Sequence, residues 1–408
     1  MIINKNKRLY IYLFCVLTLF ISLILGENSS GGSKIDSIIT QPFIKNFNYG
    51  FLNGLDYFIS TNQIHSPIFY FLVSKSISIF GSYFSNILYL LISSLIPLIF
   101  YKILKKKFLN TENKNSLFAI SLIIFLSPYF RSSSVWVTND NLALLFILIS
   151  FYYLACSHVK FQNRTYYYFL SILFLVMGSY IRQNYSFLFV FYVIKGFEIL
   201  DRKTTLHLIL VTFLLSLPAF FYIGKVFSMG SDLSVMRPNY LNNLFIYLSI
   251  ISFYFFPFFV AEKNIHKYKN LIFDQKKISF LASVIIILLF YLNDSEKLIF
   301  GGGVLLKLSE ITQFSFILLL GSILGVFLTT YYYKRTKNLL PLILIFFSFP
   351  FPILYQKYFD PILIILLLIL SDSKIINKNL KENNFNITFL FFYFLSFLIF
   401  LNYYYLNN

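Results

Sequence analysis

Apolar runs of about 15 to 22 residues recur along the whole of this 408-residue chain, separated by short polar stretches. A run of that length is what an α-helix needs to cross a hydrocarbon core of about 30 Å. The pattern predicts thirteen crossings (range 11–13), at 8–26, 83–104, 115–129, 140–157, 166–181, 184–200, 205–223, 244–261, 279–292, 311–332, 339–354, 361–372 and 385–406. Ser66 to Phe80 is apolar but short and interrupted by Lys75, so it is expected as a helix lying in the outer interface. The first run, after the basic NKNKR, resembles a signal peptide. It has no small-residue cleavage site and is read as a retained span. The predicted fold is all-α: a polytopic integral membrane protein, a single domain over 1–408, with a long first outer loop at 27–82 containing juxtamembrane helices.

Composition agrees with that class. Apolar residues make up 58% of the chain and charged residues 12%, with a mean hydropathy of +0.73. The net charge of +18 raises the question of nucleic acid. Its distribution excludes that reading: with the N-terminus inside, most of the 34 basic residues fall in the inner loops, as in KILKKK and the lysines of 263–277. This is the positive-inside signature of topology. Cys15 and Cys156 both lie in apolar runs and imply neither a disulfide framework nor a metal site.

The polar residues that topology leaves unexplained are Asp36, Asp56, His65, Arg131, Asn139, Asp140, Arg182, Gln183, Asn184, Asp232, Arg237, Gln356, Lys357 and Asp360. All are expected on the outer side, at or near span ends. Singly, each reads as a solvated loop residue; a helical bundle, however, gathers several loops over one cavity. Arg182 stands out because MGSYIRQNYSFLFVF leaves almost no loop around it. A guanidinium so close to a hydrocarbon core needs an anion or a route to the headgroups, and its planar fork matches phosphate oxygens. Arg131, Arg237 and Lys357 are further candidates for the same role. Asp36, on the outer loop in GGSKIDSIITQP, offers the complementary chemistry, since a carboxylate can take the proton from a sugar hydroxyl that attacks an activated sugar phosphate. Asp56 competes for that role, and His65 in QIHSPIF either neighbours a helix start or acts in the site.

An acid on a long first outer loop, followed by a His-x-Pro-like start to an apolar helix at His65, Ser66 and Pro67, resembles the GT-C superfamily. Its members are polytopic glycosyltransferases that use polyprenyl-phosphate-linked sugars at the outer or lumenal face. Within it, the chain is most similar to the dolichyl-phosphate-glucose α-1,2-glucosyltransferases. Their acid six residues before a proline resembles Asp36 and Pro42. Their Arg-Gln-Thr-Asn motif is similar to Arg182-Gln183-Asn184 without the threonine, and their late aromatic-basic stretch to YQKYFDP, Tyr355 to Pro361. Where that family follows its acid with Glu and then His, this chain has Ser37 and Thr40. The resemblance implies Asp36 (or Asp56) as the base in an inverting displacement. It implies Arg182, Gln183, Lys357 and Arg237 on the donor phosphate, with His65, Asn184 and Asp140 toward the acceptor. No metal or other cofactor is implied. The implied partners are a polyprenyl-phosphate sugar donor, a glycan or lipid acceptor and membrane lipid. A bacterial plasma membrane is the expected location, with the endoplasmic reticulum as the alternative.

The alternative function is a flippase or exporter of lipid-linked glycans. Against it, no internal repeat is visible and few charges fall inside the expected spans, whereas coupled transporters carry both. A glycan polymerase or ligase usually places its large loop late in the chain, and here it is early.

Overall fold

The computed structural model describes residues 5–61, 63, 65–108, 114–159, 162–228, 239–263, 269–292, 302–314, 316–333, 336–371 and 373–407. These residues form helices joined by short turns, with no strand among them. In chain order the helices are α1 (Lys5–Leu25), α2 (Ser33–Asn46), α3 (Phe51–Ser60), α4 (Ile68–Lys107), α5 (Lys114–Leu122) and α6 (Pro128–Trp136). Next come α7 (Asn139–Val159), α8 (Arg164–Ile181), α9 (Leu188–Ile199), α10 (Arg202–Ser228), α11 (Tyr240–Ala261) and α12 (Lys269–Leu292). The last six are α13 (Val304–Thr312), α14 (Phe316–Tyr332), α15 (Thr336–Phe347), α16 (Ile362–Ile369), α17 (Lys374–Glu382) and α18 (Ile387–Asn407).

Among the described residues, six helices are long and apolar enough to cross a membrane: α1, α4, α7, α10, α11 and α18. A seventh is counted if 114–126 and 128–136 are one broken span. The described residues are thus predominantly helical without strands, and their several long apolar helices are those expected of a multi-pass membrane protein. The exposed faces of α1 and α10 are themselves apolar, including Leu9, Phe14, Leu17, Leu210, Phe213 and Phe221. Soluble monomers rarely expose such stretches, but lipid solvates them.

Several elements depart from the expected boundaries. The helix expected over Ser66 to Phe80 and the crossing expected at 83–104 follow one another within α4 and are separated, as expected, by a kink at Gly81, where φ is +78° and ψ 164°. Only glycine tolerates that backbone without strain, and nothing stands within 4 Å of where its Cβ would be, so it acts as a joint. The crossing expected over 311–332 is divided into α13 and α14 by Gln313, which takes a left-handed conformation at φ 55°. The one at 361–372 is realised as the eight-residue α16, only about 12 Å of helix, with every residue buried. Asp36 was expected on a loop and instead lies in the first turn of α2.

By packing, the chain divides into two compact units. One holds 1–107, 121–232 and 396–408; the other holds 108–120 and 233–395. In the first unit α7 and α8 run antiparallel because only a few residues join them. The Ser150 hydroxyl donates to the Ser171 carbonyl at 2.5 Å, and Phe146 stacks on Phe174. In the second unit the close pair is α11 with α14. Gly321 and Gly325 stand one turn apart on α14, the small-xxx-small spacing that lets two helix backbones touch. A Cβ on Gly325 would lie 2.1 Å from the Leu248 carbonyl oxygen, while the Ser322 hydroxyl donates across to the Phe245 carbonyl at 2.9 Å.

Glu262, just past the end of α11, is buried in the same unit and accepts hydrogen bonds from Tyr331 at 2.7 Å and Tyr332 at 3.0 Å, with Asn379 beside it. Burial outweighs these donors and raises its pKa to about 7.

Two outcomes are expected. Gly325→Leu should lower the thermal unfolding temperature of the detergent-solubilised protein through overpacking of about 1–3 kcal/mol, whereas Gly224→Ala, where nothing stands within 4 Å, should not. The second concerns pH. The folded protein holds the Glu262 proton more tightly than the unfolded chain, so this stabilisation is present below the unfolded pKa and lost as pH rises through about 7. The unfolding temperature of the wild type should fall from acidic to mildly alkaline pH, and Glu262→Gln should flatten that slope and be the more stable of the two at the alkaline end.

Candidate functional site

In the first unit the ends of several helices meet, and a buried ion pair organises the meeting. α6 starts cleanly because Pro128 occupies its first position and the Ser127 hydroxyl accepts from Phe130 N at 3.0 Å. That start carries Arg131 into the interior. Its Nε donates to both Glu27 carboxylate oxygens at 3.0 Å, its Nη2 to Glu27 Oε2 at 2.9 Å, and its Nη1 to Thr18 Oγ1 at 3.2 Å and the Phe125 carbonyl at 3.3 Å. Ser22 bridges the two charges, and Ser29 Oγ donates to Glu27 Oε1 at 2.8 Å. Burial alone would raise the Glu27 pKa. The hydrogen bonds and charge of Arg131, with Ser22 and Ser29, outweigh it, and the carboxyl sits below its ordinary value. Arg131 is therefore committed to Glu27, which overturns its candidacy as a phosphate clamp. The Trp136 ring nitrogen donates to the Glu27 carbonyl at 2.8 Å, and Lys34 Nζ lies 5.7 Å from the centre of its ring.

The chain leaves Glu27 with Ser30 N donating to Ser132 Oγ at 2.9 Å, and α2 begins three residues later. Asp36, half-buried, lies in that first turn, where the positive end of the helix dipole favours a carboxylate. The antiparallel pairing of α7 with α8 brings the start of one beside the end of the other. Asp140, in the first turn of α7, forms an ion pair with Arg182, the residue that caps the end of α8. Each charge is favoured by the helix end that carries it. The other Asp140 oxygen accepts from Thr138 Oγ1 at 2.9 Å and Ser133 Oγ at 3.3 Å. Tyr70, near the start of α4, is buried in the same unit. The Tyr222 hydroxyl donates to the carbonyls of Gln63 at 2.6 Å and His65 at 3.2 Å, tying the turn before α4 to α10.

Beside this cluster lies a cavity of about 390 Å³, walled by Phe51, Leu55 and Ile59 of α3, Pro67 and Ile68 at the head of α4, Tyr180 at the end of α8, and Pro218, Phe221 and Tyr222 of α10. The wall is almost wholly apolar, and its polar members include Gln183 and Lys225. A guanidinium paired with a carboxylate thus stands near an apolar cavity. The combination suits an amphiphile whose head is anionic and whose tail is hydrocarbon.

The other expected site residues divide. Gln183 lines the cavity, and Asn184 follows it, half-buried, in a short 3-10 turn. Asp56 is exposed on α3, while its neighbours Leu55 and Ile59 face the cavity. Lys357 belongs to the second unit, where its ammonium lies 5.6 Å from the Tyr355 ring and 5.9 Å from that of Tyr358. Gln356 beside it is buried, donating to the Tyr254 hydroxyl at 3.0 Å and accepting from Val304 N at 2.8 Å, a structural tie. Arg237 and Asp232 lie outside the described residues. Sequence reasoning passed over Glu27, Tyr70, Tyr222 and Lys225. Glu27 had a signal: an arginine inside an apolar stretch such as YFRSSSVW demands a buried partner. Tyr70 and Tyr222 had none, in a chain with 32 tyrosines. Compared with protein families, with curated proteins and with solved structures, the chain matches none.

Removing one member of the buried pair should be worse than removing both. Glu27→Gln is expected to destabilise by about 3–5 kcal/mol because it leaves a buried guanidinium uncompensated. Glu27→Gln with Arg131→Met should recover much of that loss, as read by thermal unfolding in detergent.

Proposed function

We propose that this chain is a membrane glycosyltransferase of the GT-C type, moving a hexose-type sugar from a polyprenyl-phosphate donor to a lipid-linked glycan or other acceptor at the outer or lumenal face. The observation that supports the reading is the Arg182–Asp140 ion pair at the end of α8, directly before Gln183 in the wall of an apolar cavity that Lys225 also lines, with Asp36 in the first turn of α2 of the same unit. This reading keeps the thirteen-crossing, GT-C-like arrangement (range 11–13), which goes beyond the six or seven helices long enough to span. The membrane is a bacterial plasma membrane, with the endoplasmic reticulum as the alternative.

The polyprenyl tail lies in the apolar cavity and its phosphate meets Arg182. Asp140 holds that guanidinium in place from the opposite side and shares it with the phosphate. Asp36 accepts the proton of the acceptor hydroxyl as its oxygen bonds to the anomeric carbon. The bond from that carbon to the phosphate oxygen breaks, and the lipid phosphate leaves with the electron pair, its charge met by Arg182. The displacement inverts the anomeric configuration. Asp56, exposed on α3, is the competing candidate for the base.

The test supplies purified protein in membranes with a panel of radiolabelled polyprenyl-phosphate sugars and follows transfer to lipid or glycan acceptors. Wild type should transfer from one donor. Asp36→Asn should lose about 10²- to 10⁴-fold in rate with donor binding retained, whereas Arg182→Gln should weaken donor binding itself. Undiminished transfer by Asp36→Asn would remove that residue as the base. Movement of a lipid-linked glycan across the bilayer without transfer would replace the reading with the flippase.

A further inference from the structure

In the second unit, α17 is a short helix with two unlike faces. Ile375, Ile376, Asn379 and Leu380 are buried, while Lys374, Lys378 and Lys381 are exposed along one stripe at i, i+4 and i+7. Its depth relative to the bilayer follows from what holds it. The Asn386 amide, just before the long apolar α18, donates to the carbonyl of Ala261, the last residue of the apolar α11, at 2.8 Å. Glu262 pairs with Phe385 as an isolated bridge and accepts from Tyr331 and Tyr332 at the end of α14. Lys263 N donates to the Asn384 carbonyl at 2.8 Å, and Ser116, near the start of α5, donates to Asn383 Oδ1 at 2.5 Å. The ends of α11, α14 and α18 therefore meet α17 at one level. A level at which apolar helices end together is the boundary between hydrocarbon and water.

We propose that α17 and the two segments anchored to its end form a docking surface for anionic phospholipid headgroups. Lys263 and Lys114 are exposed on those anchored segments and extend the lysine stripe. Glu382, which lies 4.0 Å from Lys378, offsets only part of this charge. Positive charge held at the boundary by buried apolar side chains, rather than on a free loop, stands where negative headgroups are. Near such a surface each lysine strengthens attachment severalfold, and salt screens the effect. The side on which the surface lies is the one expected to face inward, where the chain concentrates its basic residues. The inference does not depend on the transferase reading: it concerns the other unit and needs no catalysis.

The experiment titrates the purified full chain, in zwitterionic detergent, with phosphatidylglycerol or phosphatidylcholine and follows its thermal unfolding. Phosphatidylglycerol should raise the unfolding temperature, phosphatidylcholine should not, and high salt should abolish the rise. Replacing Lys374, Lys378 and Lys381 together with glutamine should move the titration midpoint about a hundredfold higher, while the corresponding triple arginine variant should respond as wild type. A glutamine variant of Lys102, Lys105, Lys106 and Lys107 in the first unit serves as the control and should keep the full response. The proposal is overturned if the Lys374/Lys378/Lys381→Gln protein responds as wild type or if the control loses the response equally. It is also overturned if inorganic phosphate or an oligonucleotide stabilises the protein as well as phosphatidylglycerol does.

Discussion

The arrangement of the first unit hangs on a guanidinium that has nowhere else to go. Arg131 is carried into the interior by a helix that a proline and a capping serine start at a definite residue, and a charge buried there must be matched. Glu27 matches it from just past the end of α1, with Thr18, Ser22 and the Phe125 carbonyl taking up other donors of the guanidinium. The same pair fixes the direction in which the chain leaves α1. Ser29 and Ser30 are then held against α6 through Ser132, and α2 begins with Asp36 in its first turn. The position of the proposed base is thus a downstream consequence of an ion pair that takes no part in the chemistry.

A second constraint acts through backbone proximity. Hydrocarbon offers no hydrophobic drive to hold one helix against another, so close packing and the satisfaction of polar groups must do it. The α11–α14 pair shows both, with glycines that let the backbones touch and a serine that bonds across the contact. Glu262 closes the end of that pair with two tyrosine hydroxyls, at the level where α17 lays its lysines along the boundary. Polar chemistry in this chain is concentrated where helices end, because there the cost of a charge in hydrocarbon falls and water or headgroups become accessible.

The candidate site obeys the same rule. Asp140 and Arg182 meet because a short connection makes α7 and α8 antiparallel neighbours, and each sits at the helix end whose partial charge suits it. The cavity beside them is apolar because α3 and α10 turn aliphatic and aromatic residues toward each other under the turn at His65.

What the sequence determined by itself was the class of the protein and the places where its chemistry could stand. Recurrent apolar runs of this length with few charges made the helicity and the presence of several long apolar helices legible. Arg182 and Asp36 were conspicuous because an isolated charge beside hydrocarbon is expensive. Tertiary structure decided what each charge faces. Arg131 and Arg182 look alike in the sequence, each near a span end, yet one is consumed by Glu27 while the other holds Asp140 beside a cavity. Tyr222 became informative only once the fold set its hydroxyl against the carbonyls of Gln63 and His65. The division of 311–332 and the shortness of α16 likewise rest on backbone geometry and neighbours that hydropathy does not encode. A run of apolar residues records that a segment avoids water, not whether it does so against lipid or inside the protein, and only packing separates the two.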